Sequence, residues 1–80
     1  MTDREMEIAQ KVGPSAFTIY SYLKRFNKNR DVDIQADLGL SHKTVSSVLK
    51  KMDEYGIITR RMVDHRTREI KITSEKDWEI

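Results

Sequence analysis

Apolar residues recur at helical spacing along most of the first two-thirds of the chain, then switch to strict alternation. The clearest stripe is Val45, Val48, Leu49, Met52 and Tyr55, at offsets 0, 3, 4, 7 and 10. It predicts an amphipathic helix over about 42–55. Ser41 stands at its N-cap, where a hydroxyl can accept from an amide two or three residues on. Gly56 stands where a left-handed C-terminal residue is favoured. Upstream, Ala16, Ile19, Tyr20, Leu23 and Phe26, with Phe17 beside them, predict a helix from Pro14 to about Asn27. Tyr22, Lys24 and Arg25 fall off its apolar line, and Pro14 suits a first helical turn. A polar loop, Asn27–Asp31, follows. Asp33 then serves as N-cap of a short helix, Ile34–Leu38, that ends at Gly39. The Gly39-Leu40-Ser41 turn is too short for parallel packing, so the two helices cross steeply, with Leu38 and Leu40 closing the corner.

At the N-terminus, Thr2-Asp-Arg-Glu5 has the spacing of a capping box. It opens a helix over about 3–12 that carries Met6, Ile8, Ala9 and Val12 and closes at Gly13-Pro14. A helix of about ten residues is marginal in water by itself, so this one either docks, a second subunit being one partner, or frays. Beyond Gly56, Ile57–Val63 and Glu69–Thr73 alternate and are rich in β-branched residues, which predicts two strands joined by a polar tip, Asp64–Arg68. Ser74 is placed to cap a last short helix carrying Trp78 and Ile80. The fold class expected is α+β.

Eighty residues make one domain, 1–80, with a core near the lower limit for folding alone. Without cysteine there is neither a disulfide nor a thiolate metal site. No stretch has the make-up of a signal peptide or the length of a membrane span, so the expectation is a soluble, cytoplasmic protein with no membrane partner. The net charge of +2 says little, but its distribution says more. Residues 1–40 are neutral, 41–73 carry net +4, and 74–80 carry net −2. The positive excess is concentrated in one third of the chain, as in an electrostatic footprint for a polyanion.

The helix at 42–55 has a second face, made of Lys43, Ser46, Ser47 and Lys50. An ordinary solvated face mixes Glu with Lys at i,i+4 spacing, whereas here no acid appears before Asp53. Hydroxyls and ammonium groups without bulk suit entry into a DNA major groove. The aromatic residues of the preceding helix follow the buried periodicity and read as core. Catalysis has no foothold. His42 and His65 lack partners at metal-ligand spacing, and three glycines form no phosphate loop, so neither catalytic residues nor a metal or cofactor are expected.

With these residues in place, the chain resembles the winged helix-turn-helix of bacterial and archaeal transcription regulators: a three-helix core, a two-stranded hairpin wing and a short N-terminal helix. Leu38 to Ile57 looks like the turn and recognition helix, while Asp64-His-Arg66 followed by Ile70-Lys-Ile-Thr73 looks like the wing of the MarR type. The resemblance covers roughly 15–73, leaving 1–14 as a dimerisation segment and 74–80 as a tail. Family members are longer, dimerise through extended terminal helices and frame an effector pocket between them. This sequence has little chain outside the core for either, and no small-molecule effector is evident. The resemblance implies a sequence-specific, repressor-like regulator of prokaryotic or viral type that binds double-stranded DNA. The alternatives are a protein-interaction module and a DNA-binding domain in plasmid or viral replication or partition.

Contacts would divide into three kinds. Base readout falls to Lys43, Ser46, Ser47 and Lys50, with His42 at the groove edge. Backbone positioning falls to Ser41, Thr44, Lys51 and the helix N-terminus. The wing brings His65, Arg66 and Arg68 to the minor groove; by resemblance Arg66 is the probe and Asp64 holds it. Of Arg60 and Arg61, one is expected on phosphate and the other in an internal salt bridge. One helix and one wing make a small footprint, and two linked copies would raise affinity by orders of magnitude. A homodimer built from 1–14 and 74–80 is therefore expected, anchored by Trp78.

Overall fold

The computed structural model describes residues 3–26 and 29–80. Helix α1 spans Asp3–Glu7 and widens into a π-helical stretch, Ile8–Val12; α2 is Pro14–Arg25, α3 Asp31–Leu38 and α4 His42–Glu54. Strands β1 (Ile58–Met62) and β2 (Arg68–Ile72) form an antiparallel hairpin, and a 3-10 turn, Glu75–Asp77, precedes the C-terminal residues. The class is α+β, as anticipated. Both strands fall within a residue of their expected bounds.

Helix α4 forms for the reasons its pattern implies. Ser41 is extended (φ −70°, ψ 157°), and its Oγ accepts from the Thr44 amide at 3.1 Å. Val45, Leu49 and Met52 are buried, with Val48 and Tyr55 packed against them. At the far end the Gly56 amide donates to the Asp53 carbonyl (3.0 Å) and the Ile57 amide to the Met52 carbonyl (2.9 Å), closing a Schellman turn. Gly56 has φ +76°. Between α3 and α4, Gly39 adopts φ +64°, and the Leu40 amide donates to the Gln35 carbonyl at 3.1 Å.

In the hairpin, Ile58 pairs with Ile72, Arg60 with Ile70 and Met62 with Arg68. These six residues share the inner face, and Thr59, Arg61, Glu69 and Lys71 share the outer one. β2 is also flanked on its other side. The Ile70 amide donates to the Asn29 carbonyl at 2.6 Å, and Arg30 bridges Glu69. This tie between the α2–α3 connection and the hairpin has no local sequence signal.

Several boundaries differ from expectation. The capping box expected of Thr2, and the expected helix end at Asn27, lie outside the described residues. Within α2 the last turn rearranges: the helix stops at Arg25 and Phe26 is extended (φ −108°, ψ 144°), leaving its ring 49% exposed. Tyr22, set aside by periodicity, is buried instead. Its hydroxyl donates to Asp37 Oδ2 at 2.6 Å, and burial together with that bond pushes the phenol up to about 12. Helix α3 begins at Asp31, not after Asp33: the Arg30 carbonyl already accepts from the Ile34 amide at 3.2 Å, and Asp31 Oδ1, accepting from the Arg68 amide at 3.3 Å, ties this first turn to β2. Ser74 sits at the expected cap position without a side-chain bond, and the last helix shrinks to one 3-10 turn.

The N-terminal helix docks on its own chain. The π turn brings Ile8 to full burial, whereas Met6 remains 44% exposed. Arg4 donates to the carbonyls of Trp78 (2.9 Å), Glu75 (3.0 Å) and Ile80 (3.5 Å), and its guanidinium lies 5.7 Å from the Trp78 ring centre. Lys24 pairs with Glu5 at 3.0 Å. Trp78 itself is buried, edge-on to Tyr20 at 5.3 Å, with its indole N–H donating to Thr73 Oγ1 at 3.1 Å. The expected intersubunit anchor is therefore a core residue of its own domain, and the two ends cover each other.

Gly56 has no room for a side chain: a Cβ there would lie 2.8 Å from the Asp77 carbonyl oxygen. With the positive φ, Gly56→Ala is expected to cost roughly 1–3 kcal/mol, read as a lower urea midpoint at unchanged slope. An unshifted midpoint would contradict the packing of the tail against the end of α4.

Candidate nucleic-acid interface

The outer side of α4 is uncovered. Ser41, His42, Lys43, Thr44, Ser47, Lys50 and Lys51 are exposed, and Ser46 is half-buried. No exposed large apolar residue lies on this helix; those of the described residues are Met6, Phe26, Val32, Met62 and Val63. Lys43 and Lys50 are fully on the surface, and half-buried Ser46 is not packed beneath other elements.

Between the N-terminal half of α4 and the hairpin tip runs a groove of about 360 Å³, lined by Asp31, His42, Ser46, Met62, His65, Arg66 and Arg68. Alternation explains the hairpin's share, since Met62 and Arg68 are paired on the inner face. Arg68 Nε lies 3.4 Å from Met62 Sδ, which holds the guanidinium along this wall. The groove thus gathers His42 and Ser46 of the helix with His65, Arg66 and Arg68 of the tip. Lys43, Ser47 and Lys50 share the helix but do not line the groove.

Asp64 organises the tip. Its Oδ1 accepts from the backbone amides of Arg66 (2.8 Å) and Thr67 (2.9 Å), an Asx turn that fixes where the Arg66 side chain departs. Those amide bonds, the Arg66 one foremost, together with the nearby charge of Arg30, hold the carboxyl below its ordinary value of 3.8. On the helix side, Gln35 Nε2 lies 3.3 Å from His42 Nδ1, and His42 Nε2 lies 3.5 Å from Ser46 Oγ.

Arg60 and Arg61 stand apart from this groove. Arg60 Nε donates to Asp53 Oδ2 at 3.0 Å, which folds the side chain back against the C-terminal end of α4. Arg61 is on the outer hairpin face, 3.4 Å from Glu69 Oε1. Both arginines have internal carboxylate partners, where one was expected on phosphate. Sequence reasoning missed four participants: Gln35, Asp31, Met62 and Arg30. Met62 was legible in principle, being two residues from Arg60 and four from Ile58 on one strand face. Gln35, Asp31 and Arg30 enter only through contacts between elements. Among the described residues no group of three His, Asp or Glu side chains is placed to hold a metal ion, and no helix is long and apolar enough to cross a membrane.

In comparisons with known proteins, no family model, curated sequence or solved structure matches this chain.

The Asx turn carries a pH dependence. Because the folded carboxyl titrates below its ordinary value, the stabilisation of the tip is present above pH 3.8 and fades as pH falls through the depressed value. Protection of the Arg66 and Thr67 amides, taken relative to the intrinsic exchange rate at each pH, should fall on acidification in step with protonation of Asp64 followed by carboxyl NMR. A carboxyl titrating at or above 3.8 would refute the turn.

Proposed function

We propose that this chain is a sequence-specific, double-stranded-DNA-binding transcription regulator with a winged helix-turn-helix fold, repressor-like in action. On this reading α4 enters the major groove, and the β1–β2 tip, as the wing, reaches the adjacent minor groove. The observation that carries it is the exposed cationic and hydroxylated face of α4 beside a groove whose opposite wall is Arg66 and Arg68. Lys43 and Lys50 donate to guanine O6 and N7, and Ser46 and Ser47 contact base edges. Ser41, Thr44 and Lys51, with the free amides of the α4 N-terminus, face phosphate. The helix order, the αL glycine between α3 and α4, and the Asx-closed tip all support the resemblance noted in the sequence. A protein-interaction surface would need exposed apolar residues on α4, and the exposed large apolar side chains lie elsewhere.

The small footprint of one helix and one wing still favours two copies on a twofold site, by converting the second contact into an intramolecular one. The dimer contact would not be anchored by Trp78. Sedimentation at micromolar concentration with and without a palindromic duplex tests this, a monomer in both cases counting against it.

Anisotropy titrations of the full chain against random and selected duplexes, across a salt series, test the main reading. Arg66→Ala should weaken binding to both and flatten the log–log salt slope by about one ion. Lys50→Ala should lower the ratio of selected to random affinity by about tenfold, the equivalent of ~1.4 kcal/mol. No duplex binding at low salt would sink the proposal.

A further inference from the structure

Three side chains at the α3–α4 corner form a line that the contacts assigned so far leave unexplained. Gln35 projects from α3, His42 is the first residue of α4, and Ser46 lies one turn further on. The Gln35 amide nitrogen is 3.3 Å from His42 Nδ1, and His42 Nε2 is 3.5 Å from Ser46 Oγ. An amide nitrogen only donates, so Nδ1 is the accepting nitrogen. A neutral imidazole then carries its proton on Nε2. On that tautomer the 3.5 Å contact between Nε2 and Ser46 Oγ has the ring as donor and the hydroxyl oxygen as acceptor. A hydroxyl has one hydrogen and two lone pairs. With one lone pair engaged by His42, the hydrogen of Ser46 stays available on the groove side.

We propose that Gln35 is a specificity-determining, positioning residue: through His42 it holds Ser46 as a hydrogen-bond donor toward acceptor edges in the major groove. Those edges are guanine O6 or N7, adenine N7 and thymine O4. Serine by itself has little base preference, because its hydroxyl turns to suit either partner. Here the neighbouring ring removes that freedom. The reverse arrangement shows what is at stake. Were Nδ1 protonated, Nε2 would take the only hydrogen of Ser46, leaving it able to accept alone and favouring cytosine N4 or adenine N6. Met62 lines the same groove and offers an apolar surface there, compatible with a thymine methyl beside the acceptor edge.

The inference rests on the DNA-binding reading, and the two can fail separately. Long-range proton–nitrogen NMR of the full, 15N-labelled chain without DNA identifies the tautomer of the neutral His42 ring. Proton on Nε2 is expected, and proton on Nδ1 overturns the proposal. Selection from a random duplex library then reads base preference. The intact chain should favour acceptor-edge bases at one position by roughly three- to tenfold, the span of one net hydrogen bond. Gln35→Met removes the donor without adding charge and should flatten that position alone. Gln35→Glu offers only acceptors to Nδ1 and, in buffer where the same NMR shows the ring neutral, should move its proton there and shift the position toward cytosine or adenine. Its added negative charge should weaken all sequences alike. Ser46→Ala should erase the preference in every background. If the chain binds duplex but neither Gln35 variant changes the selected base, the role assigned to Gln35 is overturned. If it binds no duplex at all, the DNA reading falls first and the specificity role with it.

Discussion

The relation between α4 and the hairpin is set at one joint, where the chain reverses at Gly56. Here α4 unwinds through a Schellman turn, β1 starts two residues later, and the tail returns to cover the same carbonyls. Thr73 Oγ1 donates toward the Gly56 and Ile57 carbonyls and accepts from the Trp78 indole. The Glu79 amide donates to the Tyr55 carbonyl at 2.7 Å, and the Thr73 amide to the Ile57 carbonyl at 2.9 Å. Backbone groups left over at the end of a helix need partners, and here strand and tail supply them. The angle at which the hairpin stands away from α4 follows from these bonds, and so does the groove between them.

A domain this small has little core to spare. The terminal segments complete it rather than extending away from it: Ile8 and Trp78 belong to the same buried cluster as Ile19, Met52 and Ile70. Arg4 then donates to the carbonyl of Trp78 and adds a second donor to that of Glu75, which also accepts from the Trp78 amide. In this chain the segments on either side of the core are engaged with each other. The same closure removes Trp78 from any outer surface.

Charge is divided as sharply as polarity. Arg60 and Arg61, adjacent in sequence, take opposite faces of β1 and meet Asp53 and Glu69. Arg66, beyond the paired part of the hairpin, and Arg68, in its last pair opposite Met62, line the groove with His42 and Ser46. Arg60, through Asp53, braces the hairpin against α4, and Arg61 is paired within the hairpin, while Arg66 and Arg68 line the groove. Salt bridges at exposed positions contribute little to stability, so the effect of the inner pairs is mainly on where the hairpin's cations point.

Helix α4, its Ser41 cap, the Gly39 and Gly56 turns, and the two strands were all legible in the amino-acid order. Each depends on spacing within a few residues: 3.6 for a buried stripe, two for a strand, a hydroxyl or a glycine at a terminus. The exposed face at Lys43, Ser46 and Lys50 followed by subtraction from the buried one. Other features depended on residues far apart in the chain. The exchange of Tyr22 for Phe26 needed Asp37, the tie of the first turn of α3 to β2 needed the Arg68 amide, and the docking of the N-terminus needed the Trp78 carbonyl. The internal pairing of Arg61 needed the strand register, and the placing of His42 needed Gln35 on another helix. Periodicity reports which side of an element is apolar. Which polar group meets which is decided only when the elements pack, because a hydrogen bond requires a partner within about 3 Å, and sequence distance carries no information about that.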